Sequence, residues 1–313
     1  MSRQGIVVLG GGGFVGRHIV ARLVSEGHRV VVPTRRREEA KHLILLPTVD
    51  VVERDIHDPR TLDQLFAERA AVINLVGIIN ESGQDTFDRV HVELPRKVIA
   101  ACRNAGVPRL LHMSALGAAA DAPSRYLTSK AAAEAMVAAS GLAFTIFRPS
   151  VIFGRDDNFL NMFARLARLA PVVALASPKA RFQPVYVGDV AQCFLRAIGD
   201  EITFGGRYDL CGPKAYTLKE LVAYVGEVTG AVRPILALGP GLSNVMAAVL
   251  GHLPGKILTR DNLASMRKDN VCDCPFPAVF GLTPSTIESV APEYLSPAGR
   301  RSPFDRYRAE GGR

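Results

Sequence analysis

An α/β fold, built as a doubly wound parallel sheet with a smaller C-terminal lobe, is predicted by three observations. Short β-branched runs alternate with helix-length amphipathic segments up to about Pro149, the order that parallel strands joined by right-handed helical crossovers require. A run of glycines stands between the first strand-like run and the first helix-like segment. Beyond Pro149 the pattern loosens, with more Gly and Pro and shorter segments, as a second and smaller lobe would read.

Taken in order, the predicted strands are Ile6–Leu9, Arg29–Pro33, Val49–Arg54, Ala71–Val76, Arg109–Ser114 and Phe144–Arg148. Between them the 3.6-residue period predicts helices over Phe14–Glu26, Thr61–Glu68, Asp85–Ala105 and Ser124–Ala139. Gly27, Gly106 and Gly141 each follow a helix where a left-handed stop is expected. Pro95, inside the third of these helices, predicts a break at Leu94. Further helices are expected over Asn158–Leu169, Leu218–Thr229 and Thr259–Lys268, and Asp189–Ile198 is expected to return to the main sheet. The domain reading is therefore 1–150 with 183–200 returning to it, a lobe from 151–182 and 201–297, and a basic, unpacked tail over 298–313. Ile235–Leu258 is markedly apolar, but Gly239-Pro240-Gly241 and Pro254-Gly255 interrupt it short of the ~18–20 residues of a spanning helix. It reads as a buried helix of the lobe, with docking on a hydrophobic partner or membrane surface as the alternative.

At 313 residues, 48% of them apolar and 22% charged, the chain has an ordinary globular composition. The strand-like run Ile6–Leu9 follows too soon on the first residues for a signal peptide, so a cytoplasmic location is expected. The five cysteines, Cys102, Cys193, Cys211, Cys272 and Cys274, are odd in number and scattered, which fits reduced thiols. Cys272-Asp273-Cys274 lacks a second pair or a His at ligand spacing, so no metal site is expected. Much of the formal charge of +8 sits in Arg35-Arg36-Arg37 and in the tail arginines. These local clusters have simpler explanations than nucleic acid, which is not an expected partner.

The sharpest local signal is Gly10-Gly11-Gly12-Gly13-Phe14-Val15-Gly16, after a strand and opening a helix. In that context Gly10 permits the tight turn, Gly13 lets the backbone approach a pyrophosphate, and Gly16 lets helix pack on strand. Gly12, Phe14 and Val15 complete the loop, and the helix N-terminus offers its amides and dipole to phosphate. This is the signature of a Rossmann-like half binding a nicotinamide dinucleotide. At the end of the second strand, where Asp or Glu would accept from an NAD ribose, the chain reads Thr34-Arg35-Arg36. Arg35, with Arg36 beside it, suits a 2′-phosphate, so NADP(H) is the expected cofactor. Asp55-Ile56 after the third strand is the expected place for adenine contacts, and Val76-Gly77 after the fourth for the ribose and nicotinamide.

Tyr126 and Lys130 stand four apart on a predicted helix and so share a face. An ammonium near a phenol lowers its pKa, which suits proton exchange with a substrate oxygen during hydride transfer. Ser114, at the end of the fifth strand, is the third candidate catalytic residue. His112, two residues earlier, reads as a packed, hydrogen-bonded histidine rather than a base; His91 and Asp88 lack further ligands for a metal.

These residues with Arg148-Pro149 resemble an extended or atypical short-chain dehydrogenase/reductase over nearly the whole chain apart from the tail. Within that superfamily the chain is most similar to the NADPH-binding accessory subunit family of respiratory complex I, mitochondrial and bacterial. The residues that carry this closer likeness are Ser124-Arg125-Tyr126-Leu127, Ile152-Phe153-Gly154-Arg155 with Asp157, Gln183-Pro184-Val185-Tyr186-Val187 with Asp189, and Thr259-Arg260-Asp261. The resemblance implies tightly held NADPH, contacts from Lys130 to the nicotinamide ribose and from Pro149 to the cofactor, and a structural or redox-sensing role. It also implies a respiratory-complex partner at the surface of the inner membrane. Catalytic relatives carry a Ser-Ser or Ser-Thr pair where this chain has Ser114-Ala115. Two other readings stay open. One is an active NADP-dependent oxidoreductase, epimerase or dehydratase acting through Tyr126 and Lys130 on a small carbonyl, sugar-nucleotide or quinone-like substrate; the other is a sensor of the NADPH/NADP⁺ ratio.

Overall fold

The computed structural model describes residues 5–252 and 256–297. The strands β1 (Ile6–Leu9), β2 (Val30–Thr34), β3 (Val49–Glu53), β4 (Ala71–Asn74), β5 (Arg109–Met113) and β6 (Ala143–Pro149) alternate with the helices α1 (Phe14–Ser25), α2 (Pro59–Phe66), α3 (Leu94–Asn104) and α4 (Arg125–Ala138). Beyond Pro149 run β7 (Ile152–Phe153), α5 (Leu160–Leu169), β8 (Val173–Leu175), β9 (Arg181–Phe182), β10 (Val185–Tyr186), α6 (Val187–Gly199), β11 (Gly206–Leu210) and β12 (Tyr216–Thr217). Then come α7 (Leu218–Thr229), β13 (Ile235–Ala237), α8 (Pro240–Leu250), α9 (Arg260–Ser265), α10 (Ile287–Val290) and α11 (Pro292–Leu295).

Seven strands form one sheet in the order β11-β6-β5-β4-β1-β2-β3, and every neighbouring pair is parallel. The chain moves outward from β1 to β3 and then returns to place β4 on the other side of β1. That reversal puts a crevice between the carboxyl ends of β1 and β4, where open α/β sheets take their ligands. All residues of β1, β4 and β5 are buried. Their burial on both faces explains why Ile6–Leu9 and the first three residues of β4 read as apolar runs rather than alternating ones, while Asn74, Arg109 and His112 are buried polar exceptions.

The chain divides into two compact units. The first takes the described residues through Pro149 with Gly188–Leu210 and Pro277–Leu282. On one side of its sheet Leu62, Phe66, Leu94, Val98 and Val137 pack against Val7, Val72 and Leu110. Buried phenylalanines such as Phe66 make this core costly to truncate, about 3–5 kcal/mol for Phe→Ala. A buried charge is also built in. The guanidinium of Arg109 donates to Ala143 O at 2.7 Å, Thr145 Oγ1 at 2.6 Å, Ala197 O at 2.6 Å and Thr203 Oγ1 at 3.1 Å. It thereby ties β5 and β6 to the end of α6.

The second unit takes Ser150–Val187, Cys211–Phe276 and the described residues from Thr283. Its core gathers Phe153, Phe163, Phe182, Leu221 and Tyr294. Asp157 is buried there, accepting from the amides of Gly154 at 3.0 Å, Phe159 at 2.8 Å and Asn161 at 3.2 Å, and from Tyr294 Oη at 3.1 Å. The carboxylate thus organises the turn into α5.

Several sequence expectations are corrected. Strand Gly206–Leu210, assigned to the lobe, pairs with β6 over five residues and closes one edge of the main sheet. Ala71–Val76 ends at Asn74 because the Asn74 side chain accepts the Val76 amide at 3.2 Å. Thr61–Glu68 begins earlier, at Pro59, where Asp58 caps the helix. Asp85–Ala105 is not one helix: Ser82 and Asp85 bridge in a hairpin, a π-helical turn covers Asp88–Glu93, and α3 starts at Leu94. Pro95, which has no amide to give, falls in the first turn of α3, where none is needed. Thr259–Lys268 shortens to α9, with Thr259 as its cap. Ile235–Leu258 is not a single buried helix: its described residues include a strand and then α8, whose Leu242, Val245 and Val249 are 63%, 61% and 59% exposed. Finally, Cys211 and Cys272 are not both thiols but are joined as a disulfide across 61 residues. Gly27, Gly106 and Gly141 take positive φ after their helices, as expected. The predicted tail over 298–313 lies outside the described residues. Among the described residues no helix is long and apolar enough to cross a membrane.

Candidate functional site

The glycine loop leaves β1 at the crevice, and Gly10 turns it with φ +78°. A Cβ there would stand 3.3 Å from the backbone of Leu75 and Val76, so the loops after β1 and β4 touch through a glycine. At Gly16 a Cβ would meet Gly10 O at 2.2 Å, which fixes how closely α1 lies on the turn. Gly13 differs: it caps α1 without a side chain, is exposed, and a Cβ there would meet only Gly10 O, at 3.3 Å. The first turn of α1 contains no acidic residue, so no carboxylate of the helix competes for the positive end of its dipole. Gly12, Phe14 and Val15 beside it are half-buried.

Arg35 follows β2 and is 70% exposed, its guanidinium 2.9 Å from Asp85 in the loop after β4. Arg36 is exposed and 3.9 Å from Glu39. Asp55 is exposed and accepts the His57 amide at 2.9 Å, while Ile56 and Val76 are partly buried against the first unit's core.

The Ser124 hydroxyl caps α4 by accepting the Leu127 amide at 3.3 Å. That cap sets Tyr126 and Lys130 on the first two turns. Lys130 is buried and its Nζ donates to Met113 O at 3.2 Å. A Cβ on Gly77 would lie 2.9 Å from that Nζ and 3.4 Å from His91 Nε2, so the end of β4, Lys130 and His91 converge. Burial pulls the Lys130 ammonium down to about 8, against an upward pull from Glu134.

His91, in the π-helical turn, explains the local order. Its Nε2 accepts the Ile78 amide at 3.0 Å, which leaves Nδ1 to donate to Ser129 Oγ at 2.8 Å. Ser129 in turn donates to Tyr126 O at 2.7 Å. The His91 ring stacks on Phe87 at 5.5 Å and meets Tyr126 edge-on at 5.6 Å. Burial first, then Lys130 and His112, push its pKa down to about 2, so the ring is neutral. His112 is buried and 3.3 Å from the Asn74 amide nitrogen. Burial, with Lys130, lowers it to about 3, so it packs as expected rather than acting as a base.

The tyrosine expectation is corrected. Tyr126 is raised to about 12 by burial. Ser114 is also placed differently from a carbonyl-orienting hydroxyl. It is buried and donates to Glu134 Oε1. Arg148 completes that cluster, its Nε 2.9 Å from each Glu134 oxygen and its Nη2 also bonded to the carboxylate. Pro149 is buried at the end of β6, its carbonyl taking the Leu116 amide at 2.9 Å. The structure therefore gathers the glycine loop, Val76-Gly77, Tyr126 and Lys130 at the carboxyl ends of the strands, and turns Ser114 into a buried ion-pair cluster. Sequence reasoning missed Glu134, His91 as an organiser, and Asn74. Only Glu134 left a signal, as an acid one helical turn beyond Lys130.

A profile of the NAD dependent epimerase/dehydratase family matches residues 6–211. The chain is 36% identical over 236 residues to NADH dehydrogenase (ubiquinone) 1 alpha subcomplex subunit 9, mitochondrial, of Mus musculus, a match covering 73% of this chain and 62% of that protein. It thus spans a little under two thirds of that relative's length. It is also 31% identical over 254 residues to the ceramide reductase of Caulobacter vibrioides, covering 79% of this chain and 78% of that protein. Among solved structures it is similar to Pal from Bacillus thuringiensis, with a TM-score of 0.72 at 17% identity over 93% of this chain and 98% of that one. That likeness shows the fold.

Proposed function

The chain belongs to the NAD-dependent epimerase/dehydratase family, and from that premise we propose that it holds NADP(H) as a resident cofactor in a structural or redox-sensing role, attached to a respiratory assembly at a membrane surface. The glycine loop fits the pyrophosphate: a Cβ would fill the turn at Gly10 and Gly16, while exposed Gly13 puts no side chain over the N-terminus of α1. Arg35, with Arg36 beside it, would hold the 2′-phosphate, Asp55 and Ile56 would border the adenine, and Lys130 with Val76 and Gly77 would hold the nicotinamide ribose. Pro149 would border the nicotinamide end. Bound there, NADP(H) supplies hydride chemistry. The observation that carries the holding role is the Ser114 hydroxyl, committed to the Glu134 carboxylate that Arg148 also binds, with Ala115 beside it. No second hydroxyl stands next to it to orient a carbonyl. The respiratory partner rests on the name of the mouse relative.

A second reading is favoured by the relative named ceramide reductase together with intact Tyr126 and Lys130. In it, Tyr126 exchanges a proton with the oxygen of a carbonyl substrate, a ceramide-type lipid being the first to try. Loaded protein mixed with carbonyl, sugar-nucleotide, quinone and ceramide-type compounds separates the two. The holding role expects no NADPH oxidation with the unsubstituted protein or with Tyr126→Phe. Oxidation by the unsubstituted protein that disappears in Tyr126→Phe would establish the reductase instead.

A further inference from the structure

Three cysteines of the second unit stand in a graded row. Cys211 is buried, Cys272 half-buried and Cys274 exposed. Cys211 and Cys272 share the disulfide, with their Cα atoms 6.1 Å apart. Cys274 carries a thiol whose Sγ lies within 4.8 Å of Cys272 Sγ. The two bonded segments are also held together by other means. The Cys272 amide donates to Gln183 Oε1 at 3.0 Å, and the Gln183 side-chain amide donates to Gly212 O at 2.6 Å, next to Cys211. Asn270 adds backbone bonds to Arg181 O at 2.8 Å and from Gln183 N at 3.0 Å. Breaking the sulfur bond would therefore leave the sulfurs near one another, positioned to re-form it.

We propose that Cys211, Cys272 and Cys274 form a thiol–disulfide exchange site, in which Cys274 is the surface thiol through which an external dithiol reduces the inner pair. The Cys274 thiolate attacks Cys272 Sγ; a Cys272–Cys274 bond forms, the Cys211–Cys272 bond breaks, and the electron pair leaves on Cys211 as a thiolate that takes up a proton. One thiol of the dithiol then attacks Cys274 Sγ, forming a mixed disulfide and expelling Cys272 as its thiolate. The second thiol of the dithiol attacks its own partner sulfur and releases Cys274. The balance is one dithiol oxidised to a disulfide and one protein disulfide reduced to two thiols, with Cys274 regenerated. The burial order explains the division of labour, because an outside thiol reaches Cys274 far more readily than Cys211, and proximity favours the internal step.

The test is a time course of full-length, air-oxidised protein with limiting dithiothreitol, quenched in acid, alkylated and mapped by peptide mass spectrometry. The expected result is a transient disulfide containing Cys274, and reduction of Cys211–Cys272 slowed roughly tenfold or more in both Cys274→Ser and Cys274→Ala. Equal rates with and without Cys274, no Cys274-containing disulfide at any time, or Cys211 and Cys272 remaining thiols in excess oxidised glutathione would each overturn the proposal. Cys274 is exposed, so its variants are expected to keep the parent melting temperature. If they do not, the time course of the unsubstituted protein is decisive by itself: a transient Cys274-containing disulfide supports the exchange site, and its absence overturns it.

Discussion

Lys130 keeps an ammonium in a buried position, and its ionisation links stability to cofactor binding in opposite senses. In the unfolded chain it holds its proton to about 10.5, whereas burial in the folded protein releases it near 8. Between those values the unfolded state binds more protons, so cofactor-free stability should rise with pH from about 8 to 10.5. NADPH affinity should fall over the same rise, as the charged donor to the ribose is lost, and calorimetric titration at pH 7 and 9.5 checks both the sign and the window. Lys130→Ala should weaken binding at pH 7 by roughly 1.5–3 kcal/mol, the worth of charge-assisted hydrogen bonds. Arg35 makes the companion prediction. With no acidic residue at the end of β2, NADPH should bind at least about tenfold tighter than NADH, a difference of ~1.4 kcal/mol. Arg35→Glu should erase or invert that preference, and equal affinities in the unsubstituted protein would remove the argument for a 2′-phosphate.

At the scale of elements, the glycine loop and α1 act as one device. A ligand confined to the folded state stabilises it by about 2.7 kcal/mol at a hundredfold excess over Kd, so saturating NADPH should raise the melting temperature. Gly13→Val should abolish that rise at a modest cost to the cofactor-free protein, because a Cβ there would meet one backbone atom, Gly10 O, at 3.3 Å. Gly16→Ala should instead destabilise the protein itself, since its Cβ would lie 2.2 Å from Gly10 O. This device was legible in the sequence, because strand, turn and helix are contiguous and each glycine has its own steric reason. The sheet strands were legible for a related reason: β1, β4 and β5 are buried throughout, and β1 with most of β4 reads as an apolar run. Less was legible where partners are distant. Glu134 meets Ser114 and Arg148 across 20 and 14 residues, and Cys211 meets Cys272 across 61. Short β11 lacks an apolar run, and its membership of the sheet comes only from its register with β6. The π-helical turn before Pro95 likewise has no periodicity that marks it.

For the whole molecule, the buried histidines set the acid limit. His91 and His112 fall to about 2 and about 3 from the ordinary 6.5, so the folded protein keeps both neutral while the unfolded chain protonates them. Stability is fully present above 6.5 and should decline as pH drops below it, by up to about 1.4 kcal/mol per pH unit for each imidazole. Urea unfolding at pH 7 and pH 5 measures this; equal stabilities would contradict the neutral assignment. The central claim, a resident NADP(H), is tested most directly by denaturing freshly purified, untreated protein and identifying the released nucleotide by chromatography and mass spectrometry. The expected result is NADPH or NADP⁺ at close to one per chain, and a chain that releases no nucleotide, or releases NAD⁺ or NADH instead, would contradict it.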